Sequence, residues 1–309
     1  MDFSFTPEQQ ELKKQARAWL TERYPLDRDW DLQDDAWAEL AELGWLGVSI
    51  AEDEGGAGLG FLEEAILFEE LAYALYPGPY LGTIGLALPW LGADERRAVA
   101  AGEARWSAEV RGFVPWLGSV DRVVVDGSAY EARGEELPTV DPSRPLGRLE
   151  HGDGTPLPGS RDVARARAAI ACEAVGGAQR ALELGIEHAR TREQFGKPIG
   201  VYQAVSHALS DTYADVELAR SLAYWAAWCV AEGDEQAAVA AAAAKAFATE
   251  AAVTACERSI QVHGGTGFTW EHPLHRFYKR ALWLEGFGAR PAQLRAEVAD
   301  AVLGTAVTA

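Results

Sequence analysis

Apolar positions recur at helical spacing over most of this chain, and the exceptions gather in one central stretch. Thr6-Pro7-Glu8 reads as a helix start with proline at the first helical position, and it opens a helix predicted over 7–24. A second helix is predicted near 34–43, stopped by Gly44. The glycine-rich run from Glu52 to Gly60 reads as a loop. An apolar helix follows over 62–75 until Pro77-Gly78-Pro79 breaks it, and another short helical stretch runs to 91.

Between 102 and 159 the periodicity changes. Val120-Asp121-Arg122-Val123-Val124-Val125-Asp126-Gly127 reads as a strand ending in a turn, while Asp141-Pro142-Ser143-Arg144-Pro145 and the run 152–159 are turn-rich. About three to five short strands fit there, few for an independent β domain. Ser160 is placed to cap a helix reaching 191, and long amphipathic helices are predicted over 201–232 and 234–262, each ended by glycine. A last helix is predicted over 291–302. Three long helices and a shorter one with short connections predict an antiparallel four-helix bundle. The chain is therefore expected to be mainly α, with an N-terminal α-helical domain (1–101), a reduced central β segment (102–159) and a C-terminal four-helix bundle (160–309).

A net charge of −19 excludes nucleic acid, whose phosphates need lysine and arginine for neutralisation. Any phosphate-bearing cofactor must then rely on local arginines. Cys172, Cys229 and Cys256 sit in alanine-rich helical patterns without metal-ligand spacing, which predicts buried thiols, no metal site and a reducing compartment. The first residues lack a basic then apolar leader pattern, and no uncharged run is expected to reach the roughly 20 apolar residues that span a bilayer. A cytoplasmic protein without a membrane segment is the expectation.

The chemistry lies in two stretches: Arg192-Glu193-Gln194-Phe195-Gly196-Lys197-Pro198-Ile199 with Gln203, and Gln261-Val262-His263-Gly264-Gly265-Thr266-Gly267-Phe268. Together they resemble the flavin-contacting signatures of acyl-CoA dehydrogenases. Other stretches match the same family in order: Phe3-Ser4-Phe5-Thr6-Pro7-Glu8-Gln9, Gly44-Trp45-Leu46-Gly47, Glu54-Gly55-Gly56-Ala57-Gly58-Leu59 and Glu69-Glu70-Leu71. The resemblance spans nearly the whole chain. It implies an acyl-CoA dehydrogenase fold and FAD shared across a subunit interface, the bundle of one subunit reaching the ADP half of its neighbour's flavin. On that resemblance Arg192 places a guanidinium on the pyrophosphate, Gln194 and Phe195 pack near the flavin, and Gln203 offers an amide. Gln261, Gly264 and Gly265 make the close approach to the adenosine part. Without the family context, Arg192 and the glycines would read as a helix C-terminal cation and a plain C-cap.

The rest of the family's machinery does not follow. The catalytic base of that family is a glutamate that begins a Glu-Gly-Thr motif. In a gap-free register from Gly264-Gly265 and His272-Pro273 to Gln293-Leu294-Arg295, its place falls on Gly288, which cannot act as a base. Arg290 and Ala292 stand where the family's threonine and glutamine follow. Glu285 matches only with a three-residue shift. A few members carry the base on the first bundle helix; the matched position here is near Ala166, and Glu173 lies two turns beyond. Glu285 and Glu173 are thus alternative candidates, each with the plainer reading of an ordinary helix carboxylate. The Thr-Glu-Pro, Gly-Ser-Asp and Gly-Lys-x-Trp-Ile-Thr stretches that seat the flavin ring are not found between 91 and 112. Trp283 and Phe287 read as core or as fillers of an unused acyl pocket.

The resemblance therefore points to a base-lacking subunit of a heteromeric acyl-CoA dehydrogenase. An α2β2 heterotetramer is expected, with a full-length partner that seats the FAD and binds most of the acyl-CoA, an electron-transferring flavoprotein as acceptor, and a steroid-derived acyl-CoA as substrate. Two alternatives stay open: a self-sufficient homodimer using Glu173 or Glu285, and a flavin-free structural or regulatory protein.

Overall fold

The computed structural model describes residues 5–28 and 35–304. Phe3 and Ser4 of the opening motif and the expected helix start at Asp34 lie outside the described residues. Helix α1 (Pro7–Arg23) begins as its sequence requires. Thr6 Oγ1 accepts from the Gln9 N–H at 3.2 Å, and Gln9 Oε1 accepts from the Thr6 N–H at 3.0 Å, a reciprocal capping box. After the short α2 (Trp37–Glu42), helix α3 (Phe61–Tyr73) is almost wholly buried, and three of its four glutamates, Glu64, Glu69 and Glu70, lie inside. Each has a cationic partner: Glu64 takes Arg165, Glu70 takes Arg17, and Glu69 takes Lys13 at 2.7 Å together with Arg220. Arg165 and Arg220 belong to bundle helices, so these buried pairs tie the N-terminal helices to the bundle. Buried charges persist only when matched in this way.

A π-helical segment (Leu81–Ala87) and α4 (Ala93–Ala100) lead into the central segment. There the structure has seven short strands rather than three to five: β1 (Trp106–Ala108), β2 (Val114–Pro115), β3 (Arg122–Val125), β4 (Ser128–Glu131), β5 (Gly134–Leu137), β6 (Leu146–Leu149) and β7 (Thr155–Pro156). They form a four-stranded sheet, β1-β3-β4-β7, and a three-stranded sheet, β2-β6-β5. All seven strands are two to four residues long, too short for alternation to show in a sequence. Val125 pairs with Ser128 across Asp126-Gly127, both at positive φ, the two-residue turn read from the sequence.

The C-terminal part holds α5 (Val163–Thr191), α6 (Gln203–Ala231), α7 (Ala237–His263), α8 (Leu274–Gly286) and α9 (Pro291–Leu303). Asp162, not Ser160, caps α5, its side chain accepting from the Arg165 N–H at 2.8 Å. The fourth bundle helix, packed on both α5 and α7, is α8, which the sequence reading passed over; α9 packs on α7. The alanines of α7 are largely buried and let its neighbours approach closely. Residues 237–268 are also long and apolar enough to cross a bilayer, contrary to the expectation above, but 67% of their most apolar window is buried inside the protein. A core helix of a bundle meets the same description. All three cysteines are buried and unpaired.

Candidate functional site

Helix α5 ends at Thr191, and the chain turns at once into a two-stranded hairpin, β8 (Glu193–Gln194) and β9 (Lys197–Pro198). Its loop is Phe195-Gly196, with φ of +53° and +74°. Both central residues at positive φ define a type I′ turn, which Asn-Gly normally occupies; phenylalanine there is strained. The Ile199 N–H returns a 2.8 Å bond to the Arg192 carbonyl, and the Tyr202 hydroxyl donates to the Gln194 carbonyl at 3.1 Å. The result is a rigid finger whose tip, the Phe195 ring, is 92% exposed. Arg192 is exposed, and its guanidinium makes no hydrogen bond or ion pair among the described residues. Gln203 opens α6 beside this finger and is also exposed.

Helix α7 ends at His263, and Gly264 follows at φ +61°. A Cβ added to Gly264 or Gly265 would meet no atom of this chain. Gly265 also has no positive φ, so nothing inside the chain requires it to be glycine. A close approach from outside is the remaining physical reason. Gln261 lies exposed on the last turn. The two segments are brought together by their histidines: the His188 and His263 rings stack at 4.2 Å, and His272 lies 4.4 Å from His263. Arg192, Gln194, Phe195, Gln203, Gln261, Gly264 and Gly265 thus share one end of the bundle.

The three rings lie together with little compensating charge. Burial, then repulsion from His263 and His188, pushes His272 down to about 4. His188 is lowered by burial, His263 and Arg192, and His263 by burial.

Elsewhere, between the small sheet and the bundle, a cavity of about 260 Å³ is lined by Val110, Ala166, Ile170, Phe287 and Gly288, among others. Both positions at which the family resemblance would place a base, Gly288 and near Ala166, therefore face one cavity, and neither carries a carboxylate. Gly288 has φ +72°. Lys245, buried on α7, donates 2.6 Å hydrogen bonds to the carbonyls of Phe287 and Ala289, clamping the loop on either side of Gly288. Burial, with Arg167 and Arg111 nearby, lowers the Lys245 ammonium to about 8. Trp283 and Phe287 stack at 4.4 Å, both buried.

Neither alternative carboxylate lines this cavity. Glu173 is buried and bound to Arg144, and the Arg144 guanidinium lies against Trp116 and Trp283. Glu285 is half-buried on α8; burial and the charges of Glu250 and Glu257 raise its pKa. The sequence reading missed Glu109, which lines the cavity just after β1. Of the other carboxylates there, Asp162 caps α5 and Asp126 lies 3.6 Å from Arg161, whereas Glu109 has no side-chain partner among the described residues. Lys245 was also missed, although a single lysine inside an alanine tract is a signal of a buried, hydrogen-bonded ammonium.

Two family models match the chain: the acyl-CoA dehydrogenase N-terminal domain over residues 6–94 and the acyl-CoA dehydrogenase C-terminal domain over residues 152–302. The acyl-CoA dehydrogenase IpdE2 of Mycobacterium tuberculosis is 35% identical over 270 residues, covering 82% of each chain. The chain belongs to the acyl-CoA dehydrogenase family. Among solved structures, a variant of the Tcur3481–Tcur3483 steroid ACAD superposes with a TM-score of 0.85 at 26% identity, covering 96% of this chain and 98% of the other. The ChsE4–ChsE5 complex of M. tuberculosis gives 0.83 at 22%, covering 99% and 100%, and shares the fold. Family membership implies FAD as the cofactor, and the solvent-facing Arg192 and Gly265 fit a phosphate-bearing group approaching from outside.

Proposed function

We propose that this chain is the base-lacking subunit of a heteromeric, FAD-dependent acyl-CoA dehydrogenase that desaturates an acyl-CoA thioester, with a steroid-derived acyl-CoA as the best candidate. A full-length partner seats the flavin and supplies the base, the two forming an α2β2 heterotetramer in the cytoplasm that passes electrons to an electron-transferring flavoprotein. The observation that carries the reading is a division within one chain. The groups suited to a flavin's diphosphate and adenosine face outward and unpartnered among the described residues, whereas the two positions of the cavity where the family's base would sit are Gly288 and Ala166, and Glu109 enters it only from the end of β1. The superposition on the Tcur3481–Tcur3483 steroid ACAD supports the steroid assignment, and the IpdE2 similarity supports an acyl-CoA dehydrogenase.

FAD supplies the hydride acceptor for the α,β-desaturation. This chain's part is to bind and orient it: the Arg192 guanidinium for the diphosphate, the Gln203 and Gln261 amides as hydrogen-bonding groups, Phe195 with Gln194 as cover, and the Gly264-Gly265 backbone for close approach.

The test is purification of the chain alone and with a full-length acyl-CoA dehydrogenase encoded beside it. The expected result is a colourless, inactive single chain and a yellow, active complex. In that complex Arg192→Lys should weaken flavin retention about tenfold or more, because an ammonium does not reproduce the guanidinium fork. A yellow and active homodimer from this chain alone overturns the proposal. A complex that forms without binding flavin favours the structural or regulatory alternative.

A further inference from the structure

A second recess, of about 170 Å³, opens beside the first turns of α8 and is lined by Asp141, Ser143, Trp270, His275, Arg276 and Lys279. His275 is only 9% exposed; its ring reaches weakly toward the Trp270 backbone, and neither nitrogen has a hydrogen-bond partner within 3.5 Å among the described residues. Buried polar atoms are nearly always satisfied, so a buried ring that faces a recess with at least one nitrogen left without a partner calls for a ligand. Among the described residues that line the recess, the polar groups are cationic, aromatic or hydrogen-bonded. Lys279 and Arg276 follow on α8, and the Lys279 ammonium lies 4.3 Å over the Trp270 ring, which packs edge-on against His275. His272 precedes the helix. Asp141, the one carboxylate among the described residues of the lining, accepts from Arg280 at 2.6 Å and from the Ser143 hydroxyl at 2.6 Å, and these partners hold it ionised against its burial. Burial and the Lys279 charge lower the His275 pKa.

We propose that this recess is an anion site that takes a phosphate group, with His275, Arg276 and Lys279 as its ligands. On a protein of net charge −19 such a cationic recess does not arise from general surface composition. Phosphate suits it better than carboxylate. Its second ionisation lies close to that of imidazole, so His275 can share a proton with it, and its several oxygens can engage a guanidinium and an ammonium together. The recess shares no lining residue with the Arg192 finger, and the proposal stands without the partner-subunit reading.

Isothermal titration of the full chain at pH 7 with inorganic phosphate, and with acetate at equal ionic strength, tests this. Phosphate should saturate one site, and acetate should bind about tenfold more weakly or worse. The heat should change with the ionisation heat of the buffer, because binding draws a proton onto His275. Lys279→Ala and His275→Gln should each weaken phosphate about tenfold or more, and Arg192→Ala should leave it unchanged. Lys279 sits on the rim, so its variant tests the site even where the His275 variant misfolds. Absence of saturation at millimolar phosphate overturns the proposal. Equal affinity for acetate does so too, as does loss of binding in Arg192→Ala with retention in Lys279→Ala.

Discussion

The Arg144 guanidinium donates a 2.7 Å hydrogen bond to Glu173 Oε1, and both side chains are 2% exposed. Glu173 is therefore one half of a buried ion pair between the small sheets and α5, not a carboxylate waiting for a substrate proton. Removing one partner leaves the other charge buried alone, which costs about 3–5 kcal/mol. Glu173→Ala should lower the urea-unfolding free energy by that order while the turnover per folded complex stays unchanged. Normal stability with turnover abolished would restore Glu173 as a base.

The Phe195 finger allows stability and function to be separated. Phe195→Asn creates the Asn-Gly pair that a type I′ turn prefers and relieves a left-handed phenylalanine, whose backbone costs about 1–2 kcal/mol. The isolated chain should therefore gain up to about 1 kcal/mol in thermal or urea unfolding, since asparagine only partly escapes the same cost. Its complex should release flavin more readily, seen as faster loss of flavin absorbance on dilution or gel filtration. A destabilised chain would show that the ring packs within this protein, and unchanged flavin release would remove Phe195 from the cofactor surface.

How much of this was legible depends on the distance over which each feature is encoded. The capping box at Thr6, the Asp126-Gly127 turn and the ends of α6 and α7 are local, and their residues announce them. Helix α8 was legible too, since Leu274, Phe277, Ala281 and Leu284 fall on one helical stripe, but Pro273 and the preceding glycines draw attention to a loop. The strands of two to four residues carry too few positions for alternation. Glu173 in Ala-Cys-Glu-Ala-Val shows that a buried partner must exist, but not that it is Arg144. The stack of His188, His263 and His272 joins the ends of three segments and has no local signature at all. For the candidate site, each segment could be read from the residues and their family resemblance, while their meeting at one end of the bundle needed the fold.

That stack predicts an acid limit. His272 is lowered to about 4, and His188 and His263 are lowered as well, so the unfolded chain, with histidines near their ordinary value of about 6.5, binds more protons in between. Stability should be full above pH 6.5 and fall as pH drops toward 4. The groups facing the stack are the three rings themselves, Arg192 and His275. Urea midpoints across this range should decline less steeply for His272→Gln than for the natural chain. Parallel slopes would show that the rings are not coupled.

The cavity at Gly288 yields the sharpest contrast between the proposed role and a self-sufficient enzyme. Glu109 is its carboxylate without a side-chain partner among the described residues, so a homodimer making its own base would have to use it or rebuild one at 288. Glu109→Gln should leave turnover of the assembled complex within about twofold, well short of the loss of about a hundredfold or more expected on removing a general base. Gly288→Glu should not confer activity on the isolated chain, because the loop is held at φ +72° by the Lys245 bonds to Phe287 and Ala289. A side chain in that backbone conformation costs about 1–2 kcal/mol, which should appear as lost stability. Acyl-CoA oxidation with a dye acceptor reads both variants. A hundredfold fall in Glu109→Gln would move the base into this chain, and activity gained in Gly288→Glu would show that this cavity can still seat substrate and flavin together.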